Sequence, residues 1–453
     1  MPGAAPSPGR AEDGERAADG FNVFDAIELP ADWSMEKLGD IAVRVTGGGT
    51  PSTKVSQYWD GEIPWTTSAV IREEDIYLTK YQRCITPKGL EESSTQLIPK
   101  GSVLIGTRVG VGKSAVTTCD IAISQDLTAL VPQPRVSAEF IALALKCAPL
   151  ASWFEENKRG TTIKGVSRND ILRLMIPLPG LPEQCAIASA LLTVQGAKEA
   201  CKRVMTATRQ LKQSLLHHLF TYGPVPFPQA AHVLLKETEV GPMPEHWSVV
   251  SIGDIETFMQ YGTSSRCESG GSGLPVLRIP NVVGGGIDTA DLKYLAASPT
   301  EIERHLLQRG DLLFVRTNGV RENVGRCAVY LGSPARSLFA SYLIRARLVP
   351  DRALPDFVQL FTETNAGRAS FTGRASGAAD GKFNINTQTI RSTILPLPPL
   401  PEQREIAAQL AAVDAKLAAE ESRRAALAAL FQSLLHHLMT GQVRLPEFER
   451  DRR

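Results

Sequence analysis

Residues Leu395-Pro-Leu-Pro-Pro-Leu-Pro-Glu-Gln403, followed by Ser433-Leu-Leu-His-His-Leu438, occur earlier as Ile176-Pro-Leu-Pro-Gly-Leu-Pro-Glu-Gln184 and Ser214-Leu-Leu-His-His-Leu219. Both landmarks recur at an offset of 219 residues, so the stretch between them has one length in both copies. A loop tolerates insertions. A helix that sets a distance does not, because each residue adds about 1.5 Å of rise. In the second copy Ile406, Leu410, Val413, Leu417, Glu420, Arg424, Leu427, Phe431, Leu434 and Leu438 follow steps of four and three, the spacing of a coiled-coil seam. The first copy reads Ile187, Leu191, Val194, Lys198, Cys201, Met205, Thr208, Lys212, Leu215 and Leu219; it is weaker in its middle, where Val204 and Leu211 could share the packing. Pro182 and Pro401 fall in a first helical turn, and Gly223 and Gly441 beyond the last one, where these residue types are favoured. Each helix is expected to run roughly 38 residues, about 57 Å, long enough to act as a spacer.

The chain has 453 residues, 43% hydrophobic and 21% charged, the composition of a soluble globular protein of two to four domains. No apolar run approaches the length needed to span a bilayer. Seven Cys without a C-x-x-C pair read as free thiols in a reducing cytoplasm. A net charge of +1 gives no global attraction to nucleic acid, so any basic surface must be local. A second repeat precedes the first: Leu29-Pro-Ala-Asp-Trp-Ser34 with Leu38-Gly-Asp-Ile41, then Met243-Pro-Glu-His-Trp-Ser248 with Ile252-Gly-Asp-Ile255. The chain therefore reads as globular domain, long helix, globular domain, long helix. The expected boundaries are a disordered tail 1–28, a first domain 29–181, a spacer helix 182–222, a Pro-rich linker 223–245, a second domain 246–400, a second spacer helix 401–440 and a tail 441–453. Short strand-like runs broken by turn residues make both domains mixed α+β. Gly101 pairs with Gly310 at offset 209 and Gly112 with Gly325 at 213, which places four added residues in one loop of the second domain.

The pattern Gly47-Gly-Gly-Thr-Pro-Ser-Thr-Lys54, Tyr58-Trp59, Ile63-Pro-Trp65, Leu104-Ile-Gly-Thr-Arg108 and Val111-Gly-Lys113, with Leu277-Arg-Ile-Pro-Asn281 and the doubled Pro-Glu-Gln motif, resembles the specificity subunit of type I restriction-modification systems from about residue 29 to 445. The resemblance implies two mixed α/β target recognition domains separated by two long helices. The seams suggest that these helices pair as an antiparallel coiled coil, giving a pseudo-two-fold internal repeat. By the same resemblance the chain is a non-catalytic, cytoplasmic subunit that reads an asymmetric bipartite target on double-stranded DNA. It would direct adenine methylation or restriction by two methyltransferase subunits and by restriction/translocase subunits.

Gly106-Thr-Arg-Val-Gly-Val-Gly-Lys-Ser114 imitates a phosphate-binding P-loop, but five residues separate Gly106 from Gly112 where the motif needs four. A strand-turn-strand placing Arg108 and Lys113 near a backbone phosphate is the better reading. The His pairs 217/218 and 436/437 point in different directions on a helix and make no metal face. Glu183 and Glu402 read as first-turn acids that favour the helix dipole. No catalytic constellation, metal cluster or cofactor motif stands out. From 251 to 391 there are 14 Arg and 2 Lys, against 7 Arg and 8 Lys from 41 to 170; Arg suits bidentate contacts to guanine and phosphate, so the second domain carries the stronger DNA signal. Candidate DNA contacts are Thr50, Ser52, Lys54, Arg108, Lys113, Thr161 and Lys164, then Ser264, Ser265, Arg266, Arg278, Asn281, Arg316, Asn318 and Arg321. The rival classes are a coiled-coil protein-interaction scaffold without a DNA role and a self-contained nuclease or methyltransferase.

Overall fold

A computed structural model describes residues 20–160, 164–377 and 381–448. It divides into two compact units, Met1–Cys201 with Arg423–Arg453, and Lys202–Ser422. Two long helices, α1 (Leu181–Tyr222) and α2 (Leu400–Met439), each contribute one end to each unit.

The framing strands of the first unit are β1 (Ser34–Lys37), β2 (Ala42–Gly47), β3 (Tyr77–Leu78), β4 (Val103–Gly106), β5 (Ser114–Thr117), β6 (Leu127–Pro132) and β7 (Met175–Leu178). Five of them form a sheet in the order β2-β6-β4-β5-β3, while β1 pairs antiparallel with β7 at the root of α1. Val103, Leu104 and Ile105 are wholly buried, as expected of a central strand covered on both faces. A second sheet, built on Trp59–Thr66 and Ile121–Ile123, carries the Gly-rich loop. In this unit the start of α1 lies antiparallel to the end of α2. Ile187 and Leu191 share a buried cluster with Leu435 and Leu438, and further along the Lys198 ammonium sits 4.7 Å from the Phe431 ring.

The second unit contains β8 (Ser248–Ser251), β9 (Glu256–Tyr261), β10 (Leu312–Val315), β11 (Cys327–Val329), β12 (Leu343–Leu348) and β13 (Ile394–Leu397). Its main sheet runs β9-β12-β10-β11, the same order as β2-β6-β4-β5, and β8 pairs with β13 as β1 does with β7. The helix segments again run antiparallel: Arg209 meets Glu421 at 2.9 Å, Lys212 meets Asp414 at 2.9 Å, and Leu216 and Leu219 cluster with Ile406 and Leu410.

None of the seam residues proposed for α1 is exposed; Ile187, Leu191, Cys201, Met205 and Leu219 are fully buried, and Val194, Lys198, Thr208, Lys212 and Leu215 half-buried. On α2 only Arg424 turns to solvent. Val204 and Leu211 do not share the packing: they are 39% and 52% exposed, because Cys201 and Met205 complete the stripe and the neighbouring positions rotate outward. The expected disordered tail 1–28 is too long. Phe21 bridges Leu174 and Phe24 is buried in the first core, since three apolar residues (Phe21, Phe24 and Ile27) gain a surface to cover. The expected tail 441–453 is likewise tied down at its start, where Arg444 is buried.

Each long helix starts on a pair of side-chain clamps. The Trp33 indole N–H donates to Glu183 Oε2 at 3.1 Å and the Trp247 indole to Glu402 Oε2 at 2.8 Å. Gln184 Nε2 donates to the Pro179 carbonyl and its Oε1 accepts the Ser137 N–H; Gln403 makes the same bonds to Pro398 and Leu354. The two acids thus do more than complement a dipole: they lock helix and domain together. In the first unit Arg444 adds two bonds to Glu183, at 2.8 and 2.6 Å, and two to Asp32.

The Gly112 and Gly325 N–H groups donate to Gly106 and Val315 respectively, so the four extra residues of the second unit lie in the turn between Val315 and Gly325. Both glycines have positive φ, +82° and +73°, and a Cβ would stand 2.8 Å from Phe154 or 2.4 Å from Phe371. Gly112→Ala and Gly325→Ala should each lower stability by about 1–3 kcal/mol, read as a shift in the denaturation midpoint. A midpoint that stays put in both variants would contradict this packing.

Candidate nucleic-acid interface

The false P-loop is a strand-turn-strand. The Gly106 N–H donates to the Lys113 carbonyl at 2.8 Å, and β5 follows in place of the helix that a P-loop requires. The turn exposes Arg108 and Val109 and leaves Lys113 half-buried. Beside it the Arg159 and Gly165 backbones exchange two bonds of 2.8 Å, forming a hairpin fixed to the turn by the Val166 N–H on the Thr107 carbonyl at 2.9 Å. Thr161 lies outside the described residues. Lys164 flanks the hairpin base and is exposed.

The Gly-rich loop borders the same edge. The Gly49 N–H donates to the Ile123 carbonyl, while the Thr107 N–H donates to Asp126 three residues on. Two buried indoles fix the loop's path: Trp65 donates to the Gly49 carbonyl at 3.2 Å and Trp59 to the Ser52 carbonyl at 3.1 Å. Thr50, Ser52 and Lys54 are left exposed, with the Thr50 hydroxyl donating to Gln125. A polar, cationic edge on a rigid base can meet both phosphates and base edges.

The second unit builds the equivalent edge with other side chains. The Thr263 N–H donates to the Phe339 carbonyl as Gly49 does to Ile123, and the Ile385 N–H donates to the Arg316 carbonyl as Val166 does to Thr107. Ser264 and Arg266 are exposed there. The Ser265 hydroxyl donates to Glu301, whose carboxyl is held down at about 2 by that bond together with those from Ser298 and Thr263. The Arg316 guanidinium lies 4.8 Å over the Tyr261 ring. Arg321 is exposed, with Nε donating to the Thr372 carbonyl. Asn318 caps its own turn by accepting the Val320 N–H.

Two candidates are internal struts. Asn281 is buried; its amide donates to the Asp288 and Asp291 carbonyls and its Oδ1 accepts the Arg278 N–H. Arg278 is half-buried and pairs with Asp291 at 2.7 Å. Both hold the 278–291 loop, Asn281 from within and Arg278 from its half-exposed side. Sequence reading also passed over Arg159, which lines a cleft of about 580 Å³ with Arg108, Asn157, Ser167 and Asp170. Its counterpart in the second unit is Ser376, which pairs with Asn384 as Arg159 does with Gly165, and no sequence match marks the two positions. Of the first His pair His218 serves packing, being buried, stacked on Phe227 and bonded to the Val225 carbonyl, while His217 is exposed. Among the described residues no group of three His, Cys, Asp or Glu is placed to hold a metal, and no helix is long and apolar enough to cross a membrane.

A family model described as the type I restriction modification DNA specificity domain matches residues 30–202 and again 244–429. The chain is 28% identical over 397 residues to the type I restriction enzyme EcoKI specificity subunit of Escherichia coli (strain K12), across 84% of this chain and 82% of that one. It is 22% identical over 445 residues to the MjaVIII specificity subunit of Methanocaldococcus jannaschii, across 94% and 96%. Among solved structures, the type I restriction-modification S subunit from M. genitalium aligns with a TM-score of 0.58 at 15% identity, covering 92% of this chain and 97% of that one. That structure shares its mixed α/β fold with long helices.

Proposed function

Because the chain belongs to the type I restriction-modification DNA specificity family, we propose that it selects the target of a type I complex by reading two unlike half-sites on double-stranded DNA. The chain itself is non-catalytic and works in the cytoplasm. Two methyltransferase subunits carry out adenine methylation on its instruction, and restriction/translocase subunits cut. The target recognition domains are 29–181 and 246–400, each lying almost entirely within one of the two matched regions. Between them α1 and α2 act as an antiparallel coiled-coil spacer, with a pseudo-two-fold axis matching the dyad of the duplex.

One observation carries this reading: each unit supports the same backbone edge, yet the side chains on it differ and one turn is four residues longer. A shared frame with unlike surfaces suits two half-sites of different sequence. The exposed Thr50, Ser52, Lys54, Arg108, Lys164, Ser264, Arg266 and Arg321, with half-buried Lys113 and Arg316, are the contacts we assign. Exchanging residues 246–400 for those of another family member should change one half of the methylated sequence and leave the other intact, as read by genome-wide methylation mapping. Changes in both halves would refute modular reading. A protein-interaction scaffold would instead show no salt-dependent binding of duplex DNA.

A further inference from the structure

The first unit encloses a cavity of about 710 Å³ between the 108–113 turn and the two long helices. Six cations line it against three carboxylates, Glu73, Glu74 and Glu155. Lys158 is taken up by Glu155, and Arg72 lies 3.8 Å from Glu74. That leaves Arg108, Lys113, Lys146, Lys164 and Lys198, none of which has a carboxylate partner among the described residues.

The inner lysines rest on neutral acceptors. Lys146 donates to the Glu73 carbonyl at 2.9 Å and Lys198 to the Gln195 amide oxygen at 3.1 Å. Burial pushes the Lys146 ammonium down to about 8, with Lys113 adding like-charge repulsion against the pull of Asp75, Glu73 and Glu74. Burial lowers Lys198 as well. Cations that outnumber the carboxylates around an open cavity and form no ion pair are stabilised by an incoming polyanion, and lysine serves phosphate as a point charge.

We propose that this cavity binds phosphate groups, with Lys113, Lys146 and Lys198 inside and Arg108 and Lys164 at its mouth. The phosphates come either from the backbone of the bound duplex, in which case the inference rests on the DNA-reading function above, or from a free phosphorylated ligand. Calorimetric titration of the full chain with inorganic pyrophosphate should show saturable binding. That binding should weaken at least about tenfold in the Lys146→Met/Lys198→Met double variant and severalfold in the exposed Lys164→Gln, which tests the cavity even if the double variant folds poorly. In parallel, the slope of log affinity against log salt for duplex DNA, measured with the methyltransferase partner, should fall by about one to two if the duplex supplies the phosphates. Pyrophosphate binding with an unchanged slope supports the cavity and assigns it to a free ligand; a reduced slope without pyrophosphate binding assigns it to the duplex. Neither effect in any variant overturns the proposal. If the wild-type complex fails to bind DNA, the function fails while the pyrophosphate result still stands.

Discussion

Arg444→Ala should destabilise the first unit by about 3 kcal/mol, the lower end of the range for removing one partner of a buried ion pair. The side chains of Arg444 and Glu183 are 6% and 4% exposed. Both carboxylate oxygens of Glu183 accept from the guanidinium, and the Trp33 indole is the remaining donor. Removing the guanidinium strands a negative charge in the core, which the N-terminus of α1 offsets in part. For a unit of this size the melting temperature should drop by roughly 6–12 °C. Adding Glu183→Gln should recover part of the loss, because a neutral amide leaves no buried charge. The second unit offers a built-in control. There Glu402 is met by His246 at 2.8 Å, with side chains 26% and 58% exposed, so His246→Ala should cost less than about 1 kcal/mol. Equal losses at the two sites would show that burial does not govern them.

The second large effect concerns the spacer. Four residues inserted into the middle of both α1 and α2 add roughly 6 Å of rise, close to two base-pair steps of about 3.4 Å. The variant should abandon the original target and methylate one whose unread gap is longer by about two base pairs, with the half-site sequences unchanged. Methylation mapping decides it: an unaltered target would mean that helix length does not set the gap.

The long helices were legible because two signals agreed, equal length between landmarks and an apolar stripe of unbroken step. The false P-loop and the four-residue insertion were legible for a related reason: both are local counts, and the Gly101/Gly310 and Gly112/Gly325 registers reappear as matched backbone bonds. What stayed hidden depends on partners far away in the chain. Trp33 lies 150 residues from Glu183 and Arg444 lies 261 from it, and a single sequence carries no record of such pairings. Glu183 therefore read as a helix-dipole acid. The bracing contacts of Asn281 and Arg278 were hidden for the opposite reason: a polar residue in a Gly-rich loop has the same appearance whether it faces outward or braces the loop from within. Phe21 and Phe24 were hidden by the composition of the tail before them.

Phe431, Leu435, Leu438 and Met439 belong to the core of the first unit, though they follow the whole 202–422 segment in the chain. At about 5–20 residues per second, the ribosome needs roughly ten to forty seconds to cross the intervening 202–422 segment. Through that interval the Ile187–Leu191 face waits uncovered on the nascent chain, so this protein's yield in the cell should respond to elongation speed and to chaperone supply more than its final stability would suggest.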